Sequence, residues 1–186
     1  EATGFRCEDP KGDLGSAIKG VGTGTEPAGI DMVVAEAKVD GGALVVTYEM
    51  VGDPRLAPSP FVDLMQGDIT APDFSFELRA APIEGTTPGA PWGLTLITFK
   101  GSEQRRALST AVTVSGNTVT YRVPLADIPR IATLQWTFGA SSTAENGTVT
   151  FDDCNSLTAA GTNTTVGDAP GVSLAPSPIE PPSTQP

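Results

Sequence analysis

The chain has 186 residues, 39% of them hydrophobic and 18% charged, which favours one globular domain whose core can stand alone. A net charge of −11 and a pI near 4.2 repel phosphate backbones and anionic lipid, so nucleic acid is excluded as a partner. No run of about 18 apolar residues exists, so no transmembrane segment is expected. Histidine is absent, which excludes Ser-His-Asp and Cys-His catalysis and any zinc site built on imidazole.

Cys7 and Cys154 bracket nearly everything that reads as foldable. The pair is expected to form a disulfide joining the first and last segments, which implies an oxidising compartment. The alternative is a pair of free, buried thiols. In the chain-entropy model, a bridge closing so long a loop is worth roughly 5 kcal/mol. The chain starts at Glu1 without a methionine or a leader, and is expected to be the mature or trimmed form of an exported precursor.

The stretch from Ile30 to Val39 alternates, with Val33, Ala35, Ala37 and Val39 on one face and Met32, Val34, Glu36 and Lys38 on the other. Asp40-Gly41-Gly42 is a tight-turn signal, and Ala43 to Met50 is the returning strand. Gly52 to Pro60 reads as a loop. Asp73 to Ala80 alternates again, with Phe74, Phe76 and Leu78 inward and Ser75, Glu77 and Arg79 outward. Pro82 to Gly93 reads as a loop and Leu94 to Lys100 as a strand. Val112 to Ser115, Gly116-Asn117 and Thr118 to Val123 form a second hairpin. Pro124 to Pro129 suits one helical turn. Ala132 to Ala140 puts Leu134, Trp136 and Phe138 on one face, and Gly147 to Asp152 is a last strand ending at Cys154.

These short strands, with frequent turn signals and no long helix, predict an all-β antiparallel sandwich of jelly-roll or immunoglobulin-like connectivity over residues 1–155. Residues 156–186 carry no Lys, Arg or aromatic residue and read as a flexible Pro/Ser/Thr-rich tether, or else as an extended strand docked on the domain. Gly20 to Gly24 lacks a following Lys-Ser/Thr and a helix, so it is a linker rather than a phosphate loop. Asn146-Gly-Thr148 and Asn163-Thr-Thr165 match the glycosylation acceptor pattern.

The candidate metal ligands are Glu8, Asp9, Asp13, Asp31, Asp152 and Asp153. A bridge between Cys7 and Cys154 brings their Cα atoms to about 6 Å, which gathers the flanking carboxylates at one end of the domain. Asp31 shares a strand face with Val33, and a sheet-end position with a partner resolves that conflict. A hard cation with oxygen ligands, Ca²⁺ above all, would neutralise such a cluster. The alternatives are local pairing with Lys11 or Arg6, or turn capping by Asp9 and Asp13. Trp92, among the turn formers of its loop, is the candidate ligand-binding residue, because an exposed loop Trp stacks on sugars or anchors interfaces; alternatively it plugs one end of the sandwich. Trp136 reads as core. Carboxylates such as Glu49 and Glu77 are the candidates for glycosidase chemistry, on faces where charge is usually solvated.

Glu8-Asp-Pro-Lys-Gly-Asp13, Gly-Ile-Asp31, Asp40-Gly-Gly, Val-Pro-Leu-Ala-Asp127, Trp136-Thr-Phe-Gly-Ala-Ser141 and Asp152-Asp153 together resemble secreted bacterial, actinobacterial-type β-sandwich domains. They are loosely similar to family 9 carbohydrate-binding modules, over roughly residues 7 to 155. The resemblance implies a jelly-roll-like sandwich outside the cytoplasm with structural calcium. The expected function is that of a non-catalytic exported interaction or accessory domain, whose partner is a protein or polysaccharide of the cell envelope. A carbohydrate-binding module using Trp92 is the alternative, and a two-carboxylate glycosidase a third reading.

Overall fold

Alternation gives each strand one apolar and one polar face, and two sheets bury their apolar faces against each other. The computed structural model describes residues 4–9, 11–12, 14–16, 28–67, 75–83, 89–100, 102–129, 135–145, 147 and 149–155. The strands are β1 (Gly4–Glu8), β2 (Gly15–Ser16), β3 (Met32–Asp40), β4 (Ala43–Met50), β5 (Phe61–Gly67) and β6 (Ser75–Pro82). They continue with β7 (Trp92–Lys100), β8 (Ser102–Leu108), β9 (Val112–Ser115), β10 (Thr118–Pro124), β11 (Gln135–Thr143) and β12 (Val149–Asn155). Short 3-10 turns at Pro54–Leu56 and Leu125–Asp127 interrupt them, the second within the segment expected to make a helical turn.

One sheet has the order β1-β3-β4-β10-β9 and the other β2-β12-β11-β5-β6-β7-β8. Every pairing is antiparallel. The chain is thus an all-β antiparallel sandwich, as the alternation predicts. The Cys7–Cys154 disulfide is formed, with Cα atoms 6.2 Å apart. Because β1 and β12 belong to different sheets, this bond ties the two layers together.

The core draws on both layers. Ala35, Ala37, Leu44, Val46, Tyr48, Val119, Tyr121 and Val123 come from the five-stranded sheet, and Leu64, Phe76, Leu78, Leu94, Trp136 and Phe138 from the other. Tyr48 stands opposite the small Ala35 in register and meets Phe138 across the layers edge-to-face, centroids 5.9 Å apart. Its hydroxyl lies 3.4 Å from that of Tyr121, and burial raises the pKa of both phenols. The β3–β4 turn is built on Gly41 and Gly42, both with positive φ (53° and 77°), as a type I′ hairpin requires. Asn117, in the β9–β10 turn, donates its amide to the Met50 carbonyl at 2.7 Å and so anchors that turn to the end of β4.

Several local expectations are corrected. A bulge at Val33 shifts the β3 register, so Met32 is buried with Ala35 and Ala37 while Val33 is half-buried. The segment read as a loop from Pro82 to Gly93 is shorter, because β6 runs to Pro82 and β7 begins at Trp92. β1, β2, β5 and β8 lie outside the strands that the alternation predicts, and β12 continues to Asn155. Asp13, Phe74, Leu134, Gly20 to Gly24, Asn146, Thr148, Asn163 and the tail 156–186 lie outside the described residues.

Candidate functional site

The disulfide end holds the carboxylates expected to bind a metal. Asp31 is buried, at the entry to β3, and accepts the Gly12 N–H on both oxygens at 3.1 Å. This is the sheet-end position with a partner that its burial demands. Asp152, also buried, accepts the Met32 N–H at 2.6 Å and so fastens β12 of one sheet to β3 of the other. Glu8 is exposed and pairs with Arg6 at 3.2 Å. Asp9 is half-buried, and its backbone N–H donates to the Val33 carbonyl at 3.0 Å. Asp153 is exposed opposite Gly139, on the β12 face turned away from Asp152. Calcium takes six to eight oxygens in one cage. Among the described residues no three acidic side chains gather in that way, and the two buried carboxylates serve backbone amides instead. Asp13, the sixth candidate ligand, lies outside the described residues.

Trp92 is 7% exposed and part of the core. It opens β7, shares the inward face with Leu94 and Leu96, and stands opposite Pro82. A buried indole offers no face for a sugar to stack on, so the expectation of an exposed loop Trp is corrected, and the end-plugging alternative describes its place. Trp136 is core, as its spacing predicts. Glu49 and Glu77 do not form a pair: Glu49 is exposed on the five-stranded sheet, whereas Glu77 is 4% exposed on the other.

The geometry instead assembles a group on the outer face of the seven-stranded sheet. Adjacent strands there place Phe61, Asp63 and Met65 of β5 beside Glu77 and Arg79 of β6. Asp63 stands opposite Arg79, and Glu77 lies diagonal to Asp63 within hydrogen-bonding reach. The Arg79 Nε donates to Glu77 Oε1 at 2.5 Å, and its guanidinium sits 4.3 Å from the centre of the Phe61 ring. On the neighbouring strand β11, Gly139 faces Asp63; a Cβ there would come to 2.2 Å from Asp63 Oδ1. Only glycine lets the carboxylate lie across that strand. Burial, then the negative charge of Glu77, pushes the Asp63 carboxyl up to about 7 against the pull of Arg79.

Around this polar centre lie apolar side chains open to solvent: Met65 at 45%, Phe99 at 37% and Phe151 at 37% exposure. Phe99 shares the outward face of β7 with Ile97, which stands opposite Glu77, and Phe151 shares that of β12 with Asp153.

The group was missed because β5 was missed. The alternation of Phe61-Val-Asp-Leu-Met-Gln66 is the signal that could have found it: Val62, Leu64 and Gln66 are buried on one face, with Asp63 among apolar residues on the other. Compared with protein-family models, curated proteins and solved structures, the chain shows no match.

Proposed function

We propose that this is an exported, non-catalytic interaction domain, and that its partner, a protein of the cell envelope or extracellular space, docks on the outer face of the seven-stranded sheet. The observation that carries the reading is the unlikeness of the two outer faces. The five-stranded sheet turns outward Thr47, Glu49, Thr118, Thr120 and Arg122, as a solvated face does. The seven-stranded sheet turns outward Met65, Phe99 and Phe151 around Arg79, Asp63 and Glu77. Aromatics, Met and Arg are the residue types that protein interfaces favour. The Cys7–Cys154 bond supports export, since such bonds persist in oxidising compartments.

The test is a pull-down from envelope and extracellular fractions with three baits: the natural chain, a Met65→Asp/Phe99→Asp variant, and Thr120→Asp on the opposite face. The expected result is a partner retained by the natural chain and Thr120→Asp and lost by the double variant. A partner retained equally by all three would overturn the assignment of the face. The carbohydrate alternative has lost its residue, because Trp92 is in the core.

A further inference from the structure

Strand β8 is out of balance with the rest of the fold. It pairs with β7 along one edge and closes the seven-stranded sheet, so its other edge has no strand partner among the described residues. Its side chains from Ser102 to Ala107 are exposed on both faces, so neither layer covers it. An edge of that length is a template for a further strand. Charged residues usually protect such an edge, because an incoming strand meets them with the wrong sign. Here the order Glu103-Gln104-Arg105 is its own complement when the chain direction is reversed.

We infer that β8 pairs antiparallel with β8 of a second copy of this chain, about a twofold axis at Gln104. In that register Glu103 of each copy faces Arg105 of the other, on the same side of the sheet, and Ser102 faces Arg106. Glu103 and Arg105 already form an ion pair within one strand, so the dimer completes an alternating square of four charges. Neighbouring registers with the same facing fail: centred on Glu103 they oppose two carboxylates, and centred on Arg105 two guanidiniums. Charge alone thus selects one alignment. β8 also carries a net positive charge in a chain of net −11, so this edge is where two such acidic bodies approach with least repulsion. Five residues from each copy bury far less than the roughly 1,600 Å² of a standard interface, so association is weak and concentration-dependent. It joins the two seven-stranded sheets into one continuous layer. This inference is independent of what docks on the face of that sheet.

Sedimentation equilibrium from micromolar to millimolar protein tests it, with far-UV circular dichroism to confirm that each variant is folded. The natural chain is expected to show a monomer–dimer equilibrium. R105E or E103R alone sets like charges against each other at both positions and is expected to weaken association by about tenfold or more. Mixing the two variants in equal amounts restores opposite charges across the axis and is expected to restore a mixed dimer. The double variant E103R/R105E, self-complementary again, is expected to associate as the natural chain does. A natural chain that stays monomeric at millimolar concentration overturns the inference. So does R105E that associates undiminished, or a mixture of the two single variants no more associated than either alone.

Discussion

The two outer faces of this sandwich solve the same problem in opposite ways. Each must leave backbone ladders intact while one side of the sheet meets something other than the core. On the five-stranded sheet the charges stay in water: Arg122 pairs with Asp40 at 2.8 Å, and the two side chains are 49% and 64% exposed. On the seven-stranded sheet Arg79 pairs with Glu77 at 2.5 Å, and the side chains are 30% and 5% exposed. The first arrangement costs little and contributes little. The second takes a carboxylate out of water beside another carboxylate, which folding alone does not require. The lesson is that ion pairs of similar make-up report different things according to burial.

The largest expected effect concerns the tie between the layers. Replacing Cys7 and Cys154 together by serine should lower stability by about 3–5 kcal/mol, read from denaturant melts, because the bond closes almost the whole chain. It sharpens the comparison if amide exchange then shows the edge strand β1 losing protection before β5 and β6. Next in size is the pH dependence of the buried face. The folded-state pKa of Asp63, about 7, lies above the ordinary carboxylate value of 3.8. Its protonated form is therefore favoured by folding: its contribution is fully present below pH 4 and is lost as pH rises through about 7. Asp63→Asn should remove that slope, gaining roughly 2–4 kcal/mol relative to the natural chain at pH 8 and little at pH 4. Parallel pH profiles for the two proteins would refute the assignment of a raised pKa to Asp63.

The sandwich was readable because most of its strands advertise themselves. Asp40-Gly41-Gly42 demands positive φ twice over, and Ala43 to Met50 alternates cleanly against it. The disulfide was readable from the isolation of the two cysteines. The outer face of the seven-stranded sheet was not, for three separate reasons. β5 begins directly after a proline-rich loop, and its alternation is interrupted by the charge of Asp63. β8 has no apolar alternation at all, since its hydrogen bonds to β7 and not burial define it. Alternation places Glu77 outward, but outward is not the same as solvated, and a sequence does not show that Asp63 and Arg79 stand beside it on two strands. Trp92 failed in the converse direction: its turn-forming neighbours suggested exposure, yet it starts a strand and its parity with Leu94 points it inward. Met32 was misplaced for a smaller cause, the bulge at Val33, which alternation by itself cannot register.

The remaining two effects break the comparison most directly, because they remove the same residue type from each face. Arg79→Ala leaves Asp63 and Glu77 without their cation and strips the cover from Phe61, and is expected to cost about 2–4 kcal/mol near pH 8. The cost should shrink towards pH 4, where Asp63 is protonated. Arg122→Ala removes an exposed pair and one hydrogen bond, of 2.7 Å, to the Asp40 carbonyl. Its expected cost is about 0.2–1 kcal/mol, falling further with added salt because both charges are open to screening. Equal costs for the two substitutions would mean that the Asp63–Glu77 pair is solvated like the Asp40 carboxylate, and the distinction between the faces would fail. A large, salt-insensitive cost at Arg79 beside a small, salt-sensitive one at Arg122 locates the buried charge on the seven-stranded sheet by measurement alone.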